Sequence, residues 1–436
     1  MIIRGLNKEK LKNISRLKDE DSWVLNYRLE SLKYFESLPQ PHFGPQVDID
    51  FKDIIYYKNE NKRIAKSWCE VNPEIHKSFE NLGVLNSEKK MSGIGVQYES
   101  ETIYSNMLKE LEEKNVIFTT IEEGLKKYSH IAKKYFGKII KNDEHLYSAL
   151  NSAAFSGGAF IYVPPHTKLS RPLQSYFRIE TENLGQFERT LIIVDDDSSL
   201  EYIEGCTAPL YSNTSLHAAN VEIYVGKNSK MRFITMQNWS KNVINMVTER
   251  ALVEENGEMT WIDGNVGSKI SMKYPSCILK GDNSLGRSIT FGVAMKGQIQ
   301  EGGSNMIHLG KNTRSELISK SIAKEGGSAS YRGKTIIKSK ALNSEAFLKC
   351  DSLILDENSI SNAYPKNIIE NNTSFIEHEA LVEHISKDNL FYLMSKGLTK
   401  EQASELIIIG FLDDFTKYLP IEYSVELNQL LKSLKF

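Results

Sequence analysis

The sequence has few cysteines, and it lacks the paired cysteine motifs that hold metals in compact sites. Its four cysteines, Cys69, Cys206, Cys277 and Cys350, are far apart, and no CxxC pair occurs. Closed zinc sites and ferredoxin-type sites are built from clustered thiolates. Disulfide frameworks belong mainly to short secreted chains, whereas this chain has 436 residues. The pattern therefore indicates mostly free thiols in a reducing compartment.

A clear excess of charge of either sign is also missing, since 54 Lys and Arg stand against 56 Asp and Glu. Proteins that bind nucleic acid usually carry a basic surface, so no nucleic-acid partner is expected. The apolar run Leu406–Leu412 is too short to span a bilayer, and Met1–Arg4 does not begin a signal peptide. We therefore expect a soluble, cytoplasmic protein with no membrane partner. A plastid-type organelle is the alternative compartment.

Motifs of the common catalytic sites are absent as well. The sequence contains no GxxxxGK[ST] phosphate loop, no GxSxG nucleophile elbow and no HExxH zinc helix. The pair Gly157-Gly158 lacks the GxGxxG spacing of a dinucleotide site and indicates a tight bend instead. The sequence therefore predicts that the chain does not hydrolyse ATP through a phosphate loop.

Helical periodicity dominates the first third of the chain. Apolar residues recur every three or four positions in Leu6–Leu38 and Ile103–Phe136, with charged faces between them. Thr120 followed by Glu123 is a capping-box signal for the start of a helix. We predict an N-terminal helical region over residues 1–150.

Short alternating runs broken by Gly, Asn, Asp and Ser follow this region. The runs resemble one another: aligned on Val194, Val225, Val253, Leu279 and Leu309, they recur at steps of 31, 28, 26 and 30 residues. One strand–turn–strand unit cannot bury its apolar face alone, whereas stacked units share a long core. The repeat predicts a β-solenoid core over residues 151–386. A β-sandwich with similar hairpins is the alternative.

Helical pattern returns at the C-terminal end of the chain. Gly397 predicts the end of one helix, and Thr399 with Gln402 predicts the capped start of the next. Pro420 predicts a break before a last helix at Ile421–Leu434. These helices either only cap the solenoid or also dock a partner through their apolar face, and the pattern alone favours the cap.

A series of ordered motifs gives the chain its resemblance to a known family. The motifs are Ser92–Glu101, Ser156–Gly158, Ile161–Pro165, Pro172–Arg178, Gly185–Ile192, Tyr202–Pro209, Gln237–Trp239, Lys273–Cys277, Tyr331–Gly333, Cys350–Leu353 and Glu377–Ala380. In this order they resemble the SufB family, the scaffolds of the SUF system on which iron–sulfur clusters are assembled. The likeness runs from about Gly5 to Leu431.

The resemblance implies a mainly β fold, with a right-handed β-helix core between N-terminal and C-terminal helical regions, the latter over residues 387–436. It also implies partners. SufB proteins pair with the related SufD or with a second SufB copy, and they bind the ABC-type ATPase SufC largely through the C-terminal helices. The resemblance therefore favours partner docking there and places ATPase activity in SufC, so this chain is expected to be an assembly scaffold and not an enzyme. Sulfur is expected from a cysteine desulfurase with its shuttle, SufS with SufE or SufU.

The resemblance implies a site for the nascent cluster around Cys350, which matches a family cysteine near the dimer interface. A thiolate is both a nucleophile and a soft ligand for iron, although a lone cysteine is otherwise more often a buried core residue. If Glu377-His378-Glu379 is a strand, both carboxylates share one face and the imidazole takes the other.

The resemblance favours Glu379 as the ligand that joins Cys350, with Glu377 and His378 in support. A solvated charged strand is the alternative for this stretch. Such a mixed set would hold a [4Fe–4S] or [2Fe–2S] cluster loosely, which suits a scaffold that releases its product. Some family complexes also hold reduced flavin, for which this sequence has no motif.

The resemblance also implies a sulfur path that begins at Cys206, the family's acceptor of sulfane sulfur, and is lined by Arg178, Gln237 and Trp239. A persulfide is an anion, so a guanidinium and amide donors would stabilise it in a low-dielectric core. A structural ion pair for Arg178 and ordinary core packing for Trp239 are equally weighted alternatives. The chain departs from the family at Glu180, often Asn, and at Glu249, often Lys. Both changes alter the charge along the path.

Three functions are consistent with the sequence. A SufB scaffold is favoured by Cys206, Cys350 and the Gly93–Glu101 block. A SufD-like partner would shape the complex without its own cluster site. A carbohydrate-active β-helix enzyme would need two carboxylates across a cleft. Glu377 and Glu379 are too close in sequence, and on one face, to meet that requirement.

Overall fold

The computed structural model describes residues 2–58, 64–81, 84–209 and 214–419, and strands are its largest class of secondary structure, most of them in a β-solenoid of about eight turns. Helices precede and follow this solenoid. The strands are β1 (Ile2–Arg4), β2 (Ile55–Lys58), β3 (Gly93–Tyr98), β4 (Glu101–Met107), β5 (Ile117–Thr120), β6 (Ala159–Val163), β7 (Leu173–Arg178), β8 (Gly185–Gln186), β9 (Arg189–Val194), β10 (Ser199–Thr207), β11 (Ser215–Val225), β12 (Lys230–Trp239), β13 (Val243–Val253), β14 (Glu258–Gly267), β15 (Ile270–Leu279), β16 (Leu285–Ala294), β17 (Ile299–His308), β18 (Arg314–Ala323), β19 (Ser328–Ile337), β20 (Glu345–Ile354), β21 (Ile360–Ala363), β22 (Lys366–Ile369) and β23 (Phe375–His384). The helices are α1 (Lys8–Leu17), α2 (Ser22–Ser37), α3 (Pro73–Asn81), α4 (Val84–Glu88), α5 (Lys109–Glu113), α6 (Ile121–Lys127), α7 (Ser129–Tyr135), α8 (Leu146–Ala154), α9 (Lys387–Ser395) and α10 (Lys400–Thr416).

The solenoid is regular because successive turns pair in parallel and in register. The first sheet contains β7, β10, β12, β14, β16, β18, β20 and β23, and the second contains β6, β9, β11, β13, β15, β17, β19 and β21. Strand β12, for example, pairs with β14 without a register shift, from Lys230 opposite Glu258 to Trp239 opposite Gly267. Parallel in-register pairing confirms the predicted solenoid and excludes the β-sandwich, which is built from antiparallel strands.

A ladder of polar residues marks one turn of each coil and accounts for the sequence repeat. Asp197, Asn228, Asn256, Asn283 and Asn312 occupy equivalent turns, with φ between 54° and 59°. Asn256 Nδ2 donates to Asn228 Oδ1 at 3.0 Å, and Asn283 Nδ2 donates to Asn256 Oδ1 at 3.1 Å. Asn and Asp tolerate the left-handed conformation better than most residues, so the turns favour them.

Strand alternation separates an interior face from an outer face. Along one side of the interior, aromatic and aliphatic side chains from successive turns of the first sheet stack into a continuous core that includes Tyr202, Phe233, Trp261, Leu317 and Leu348. Each of these side chains is at most 2 % exposed. This apolar half of the interior holds the turns together and leaves the other half of the same strands free for polar residues.

Helix α10 covers the outer face of the first sheet. Its residues Ile408, Leu412 and Phe415 belong to one buried cluster with outward-facing residues of the sheet, among them Ile289. The rings of Phe291 and Phe415 are 5.4 Å apart. These contacts come from several consecutive turns. Helix α10 therefore packs along the side of the solenoid and does more than cap its end.

Helix boundaries in this region agree with the sequence signals. Thr399 is the N-cap of α10 and forms a capping box with Gln402. Gly397, with φ 96°, follows the end of α9. Pro420 and the last helix predicted at Ile421–Leu434 lie outside the described residues. No helix in the described ranges is long and apolar enough to cross a membrane.

The N-terminal region mixes helices with strands, which differs from the helical region that the sequence predicts. Helices α1 and α2 fall within Leu6–Leu38, but Ile103–Phe136 begins in β4 and contains β5 before α6 and α7. Thr120 caps α6 as predicted, accepting from the Glu123 backbone N–H at 3.2 Å. Strands β4 and β5 pair antiparallel with β3 and β6, so they close the first edge of each sheet. Sheet pairing overrides the local helical periodicity here.

Candidate functional site

Two rows of inward-facing side chains run along the polar half of the interior. Residues paired across parallel strands point to the same face, so the register defines each row. The first polar row is Ser175, Glu204, Thr235, Asp263, Thr290, Ser319 and Cys350, and the second polar row is Cys206, Gln237, Asn265, Gly292, Ser321 and Ser352. Cys206 therefore lies near the N-terminal end of these rows and Cys350 near the C-terminal end.

The N-terminal end of the rows is a buried group of acids around a thiol. Cys206 is 0 % exposed, and its Sγ lies 3.7 Å from Glu204 Oε1. Burial, together with Glu204 and Glu188, raises the pKa of the Cys206 thiol well above its usual value. Burial and Glu188 likewise raise the pKa of Glu204. Glu188 Oε2 lies 3.6 Å from His217 Nε2, so the network of buried polar side chains around Cys206 extends to the second sheet.

An imidazole and two amides extend this network of buried polar side chains. His217 Nδ1 lies 2.8 Å from Asn245 Oδ1, and Asn245 Nδ2 donates to Gln237 Oε1 at 2.6 Å. The Trp239 ring is 4.8 Å from the His217 ring, centroid to centroid. Trp239 also belongs to the buried cluster that contains Cys206. Two of the three residues assigned to the sulfur path, Gln237 and Trp239, thus lie with Cys206 inside the solenoid.

Arg178 lies on the other face of its strand. The register places Phe177 opposite Cys206, so the next residue, Arg178, points away from the interior. Its guanidinium forms an ion pair with Glu180 and donates from Nη1 to Thr207 Oγ1 at 3.1 Å. Glu180 therefore neutralises the one cation that sequence reasoning places on the path near Cys206.

A buried cation is supplied instead by Lys273, on the second sheet. Lys273 Nζ lies 2.6 Å from Asp263 Oδ1 and 3.1 Å from Glu249 Oε1, and it donates to Thr235 Oγ1 at 2.6 Å. None of these four residues is more than 2 % exposed. Burial raises the pKa of Glu249 to about 8, against the opposing effect of Lys273. Burial alone would lower the pKa of Lys273, but Asp263 and Glu249 outweigh it and raise that pKa.

The C-terminal end of the first polar row is Cys350. Its register partners are Ser319 on β18 and Ala380 on β23. Cys350 is 4 % exposed, and burial with the charge of Asp351 raises the pKa of its thiol to about 12. Tyr331 of the opposite sheet is close enough to interact with it electrostatically. Among the strands of the described residues, β23 alone lies between Cys350 and the end of the first sheet.

Strand β23 carries the acidic motif with the predicted alternation. Glu379 pairs with Lys349 on the outer face, where Glu379 Oε2 and Lys349 Nζ are 3.3 Å apart and the Glu379 side chain is 62 % exposed. Glu377 takes the same outer face, whereas His378 takes the interior face, where it is opposite Leu348, two positions before the pair formed by Ala380 and Cys350. The imidazole is therefore the member of the motif on the same face as the thiol.

Within the described residues, no group of three or more His, Cys, Asp and Glu side chains is placed to hold a metal ion. One copy of this arrangement offers a thiol and an imidazole on one face at the exposed end of a sheet. A complete ligand set for an iron–sulfur cluster would therefore draw on a second chain or on carboxylates that turn toward this face.

The cysteines outside the rows occupy different environments. Cys277 is fully buried in the apolar core, where burial raises the pKa of its thiol to about 12. Cys69 is exposed, and none of the four cysteines forms a disulfide. A raised thiol pKa therefore does not distinguish Cys350 from Cys277. What distinguishes Cys350 is its position on a polar row near the end of the solenoid.

Most of the buried polar residues in the solenoid interior were not predicted from the sequence. Glu188, Glu204 and Lys273 fall inside motifs that carry the family resemblance, whereas His217 and Asp263 fall outside them, and none of the five is predicted as a site residue from the sequence. One signal could have found them: in Leu200-x-Tyr202-x-Glu204-x-Cys206, the two aromatic or aliphatic positions fix which alternate residues face inward. The same test, carried from turn to turn by the repeat, identifies the inward polar positions.

Family comparisons cover most of the chain. Residues 177–411 match the family described as the SufBD core domain of SUF system FeS cluster assembly. Residues 91–175 match the family described as the SufBD protein N-terminal region. The boundary between the two matches falls within β7, at the start of the polar rows.

Curated relatives match over nearly the full length. An iron–sulfur cluster assembly SufBD family protein of Staphylococcus saprophyticus is 48% identical over 431 residues, which are 98% of this chain and 93% of that protein. Proteins with the same description from Staphylococcus epidermidis and Staphylococcus aureus are 47% and 48% identical over the same length, with the same coverage of each chain.

Proposed function

The chain belongs to the SufBD family of iron–sulfur cluster assembly proteins, and from that premise we propose that it is a SufB-type scaffold. In this role Cys206 accepts sulfane sulfur, the interior passes it on, and Cys350 takes part in building a nascent cluster. The observation that carries the proposal is the pair of polar rows, with one thiol near each end. A SufD-like partner without sulfur chemistry would have no use for this arrangement.

The net transfer needs no reductant. A persulfide on Cys206 and a thiol on Cys350 become a thiol on Cys206 and a persulfide on Cys350, so the sulfane sulfur keeps its oxidation state. The two cysteines lie on strands five spacings apart in the first sheet, roughly 24 Å at about 4.8 Å per spacing. Cys350 is therefore too far away to attack a persulfide on Cys206 directly, and the sulfur crosses as a small species.

Around Cys350, the proposed ligands of the nascent cluster are its thiolate, His378 on the same face, and Glu379 and Glu377 if the end of β23 turns. Cluster iron favours the thiolate over the thiol, so the high thiol pKa keeps the empty site protonated until iron displaces the proton. A set with few thiolates holds a cluster less tightly than four cysteines do. We propose that the product, [4Fe–4S] or [2Fe–2S], passes from here to acceptor proteins.

The proposed partners are those of a SUF assembly machine. An ABC-type ATPase, SufC, would dock on the C-terminal helices, where Phe391 and Tyr392 of α9 are 75% and 60% exposed. SufD or a second copy of this chain would pair with the end of the solenoid, and SufS with SufE or SufU would load Cys206. Four cysteines without a disulfide fit a reducing compartment, and we propose the cytoplasm.

Anaerobic reconstitution tests the assignment. The chain with its ATPase partner, iron and sulfide should develop the visible absorption of a cluster, and Cys350→Ala should lose most of it. Cys277→Ala is the matched control, because it removes a thiol that is equally buried but off the polar rows. Cys206→Ala should keep chemical reconstitution and lose cluster formation driven by the desulfurase. Full cluster yield in Cys350→Ala would reject the scaffold site.

A further inference from the structure

Two buried acids and an imidazole accompany the Cys206 thiol. Glu204 lies two residues before Cys206 on β10, Glu188 lies between β8 and β9, and His217 lies on β11. Each of the three side chains belongs to a residue that is at most 2 % exposed. Cys206 Sγ donates to Glu204 Oε1 across 3.7 Å. This carboxyl oxygen is therefore placed to take the thiol proton when Cys206 acts as a nucleophile.

A line of polar atoms leads from this carboxyl to the imidazole. Glu204 Oε2, Glu188 Oε2 and His217 Nε2 are buried, and among the described residues none of them has a hydrogen-bond partner. Glu188 is close enough to Glu204 to raise the pKa of that acid, and Glu188 Oε2 lies 3.6 Å from His217 Nε2. An unpaired buried polar atom costs free energy, so a proton held between two such atoms stabilises both.

Two amides fix the tautomer of His217. Gln237 Oε1 accepts from Asn245 Nδ2 at 2.6 Å, so Asn245 turns its Oδ1 toward the imidazole. This oxygen lies 2.8 Å from His217 Nδ1 and can only accept, so Nδ1 carries the hydrogen. A neutral imidazole with its hydrogen on Nδ1 has an acceptor at Nε2, and Nε2 faces Glu188. His217 is therefore oriented to receive a proton from the acids.

The surroundings favour a neutral Glu204 and a His217 that can become charged. Burial and Glu188 raise the pKa of Glu204, so its resting form is the neutral acid. The Trp239 ring lies 4.8 Å from the His217 ring, and an indole face attracts a cation. The other titratable or charged groups that act on Glu204 are Lys273, which lowers its pKa, Glu249, which raises it, and the Tyr202 hydroxyl.

We propose that Glu204 is the general base for loading sulfur on Cys206, and that Glu188 passes the proton on to His217. This inference rests on the proposed function of Cys206 as sulfur acceptor and adds the proton acceptor that the step requires. A neutral carboxyl serves because its Oε1 accepts the thiol proton while its Oε2 releases a proton to Glu188. Asn245 is a positioning residue, since it acts through the tautomer of His217.

The loading step balances without an oxidant or a reductant. Cys206 sulfur attacks the outer sulfur of a donor persulfide while its proton moves to Glu204, and the S–S bond of the donor breaks. The outer sulfur keeps its own proton, so the product is the Cys206 persulfide. The donor leaves as a thiolate, and the proton held on His217 returns through Glu188 and Glu204 to that thiolate. The network then has the protons with which it began.

The resting state of the network is tested by nitrogen-15 NMR of the full chain labelled at histidine. The His217 signals are the ones lost in His217→Gln. They should show a neutral imidazole with its hydrogen on Nδ1 near pH 7, and Asn245→Leu should add the other tautomer. A His217 with its hydrogen on Nε2, or one that is already an imidazolium, would overturn the proposal, because it could not take a proton from Glu188. An unchanged tautomer in Asn245→Leu would reject the positioning role.

Loading is measured with cysteine persulfide as the donor, by alkylation and mass spectrometry of the peptide that contains Cys206. Glu204→Gln keeps the size of the side chain and should load at least tenfold more slowly near pH 7. The deficit should shrink as the pH is raised, because hydroxide then removes the thiol proton. His217→Gln should show the same trend with pH, and Glu204→Asp should recover part of the rate.

Glu201→Gln is the matched control for these variants. It makes the same change on the same strand, on the outer face, where Glu201 pairs with Arg232. It should load Cys206 at the native rate at every pH. Circular dichroism checks that all the variants fold.

The outcomes separate this proposal from the scaffold function. Native loading rates in Glu204→Gln, or rates lowered by the same factor at every pH, would overturn the role of Glu204 as a base. The scaffold function would stand in that case, because it is tested at Cys350. A native chain that never takes sulfur onto Cys206 would overturn the proposed function and the loading step together.

Discussion

Glu249 illustrates how one residue sets the charge balance of the interior. It stands beside the Lys273–Asp263 ion pair, and its Oε2 has no hydrogen-bond partner among the described residues. Because burial disfavours the charged carboxylate, Glu249 holds a proton in the folded chain well above the pH at which it would lose it in the unfolded chain. The cluster is then close to neutral, which lowers the free-energy cost of burying it.

This balance predicts a pH dependence of stability. Between the unfolded pKa near 4.5 and the folded pKa of about 8, the native chain binds more protons at Glu249 than the unfolded chain does. The contribution of Glu249 to the free energy of unfolding therefore falls as the pH rises through that window, and it is constant at higher pH. The full shift corresponds to a loss of up to roughly 5 kcal/mol. Glu249→Gln should have a shallower decline of Tm between pH 5 and 8.

The control for this measurement is Glu201→Gln, on the outer face of β10. Glu201 pairs with Arg232 at 2.9 Å and its side chain is 30% exposed, so its removal should leave the slope of Tm against pH as in the native chain. A Glu249→Gln variant with the native slope would show that Glu249 is ionised in the folded chain throughout this range.

At the scale of elements, the asparagine ladder of the turns is a repeated device whose energy can be measured. Asn256→Ala loses the hydrogen bond to Asn228 and puts a side chain that disfavours positive φ at that turn, at a cost of about 1–2 kcal/mol. Asn256→Gly loses the same hydrogen bond but tolerates the backbone conformation. Thermal unfolding should therefore rank native above Gly above Ala. Equal stability of the Gly and Ala variants would mean that the backbone conformation contributes nothing.

Helix α9 is the element whose exposed residues predict a partner. Phe391 and Tyr392 are exposed apolar side chains on a short helix, and surfaces of this kind mark interaction sites. Replacing both with Ala should weaken binding of the proposed ATPase partner at least tenfold in calorimetry, with little change in Tm. Lys311→Ala, at an exposed turn of the solenoid, should bind as the native chain does. Unchanged binding in the double variant would place the ATPase elsewhere.

The sequence predicts the repeated elements better than the single ones. The solenoid follows from strand–turn–strand units with Asn or Asp at equivalent turns, and the helix caps at Thr120 and Thr399 follow from local chemistry. Strand β4 could not be predicted in this way, because its pairing with β3 is a tertiary contact that local periodicity does not report. The contact of Lys273 with Asp263 and Glu249 likewise joins three strands, so the site's charge is set by packing.

At the scale of the whole molecule, the two ends of the solenoid differ. The N-terminal edges are closed by the antiparallel strands β4 and β5. Within the described part of the chain, no strand pairs beyond β23 in the first sheet. Phe375, Leu381 and Val382 of β23 are 51%, 49% and 46% exposed. An open strand edge with apolar side chains is a template for pairing with another chain.

The open end predicts how the complex forms. Leu381→Lys adds a charge at this edge and should shift the assembled complex toward separate chains, seen as a lower mass in analytical ultracentrifugation. Cluster yield should fall with it, because Cys350 lies one strand away. Lys311→Ala, at an exposed turn along the side of the solenoid, is the control for a surface change. An assembly that keeps its mass with Leu381→Lys would move the interface away from β23.

The link between Cys206 and Cys350 is the central feature of the proposed scaffold, and isotope tracing measures it directly. A desulfurase supplied with sulfur-34 cysteine should label Cys206 first and then Cys350, and the label should enter the cluster when iron is added. In Cys206→Ala, label from the desulfurase should not reach Cys350. Label that reaches Cys350 equally in native chain and Cys206→Ala would contradict an internal route that starts at Cys206.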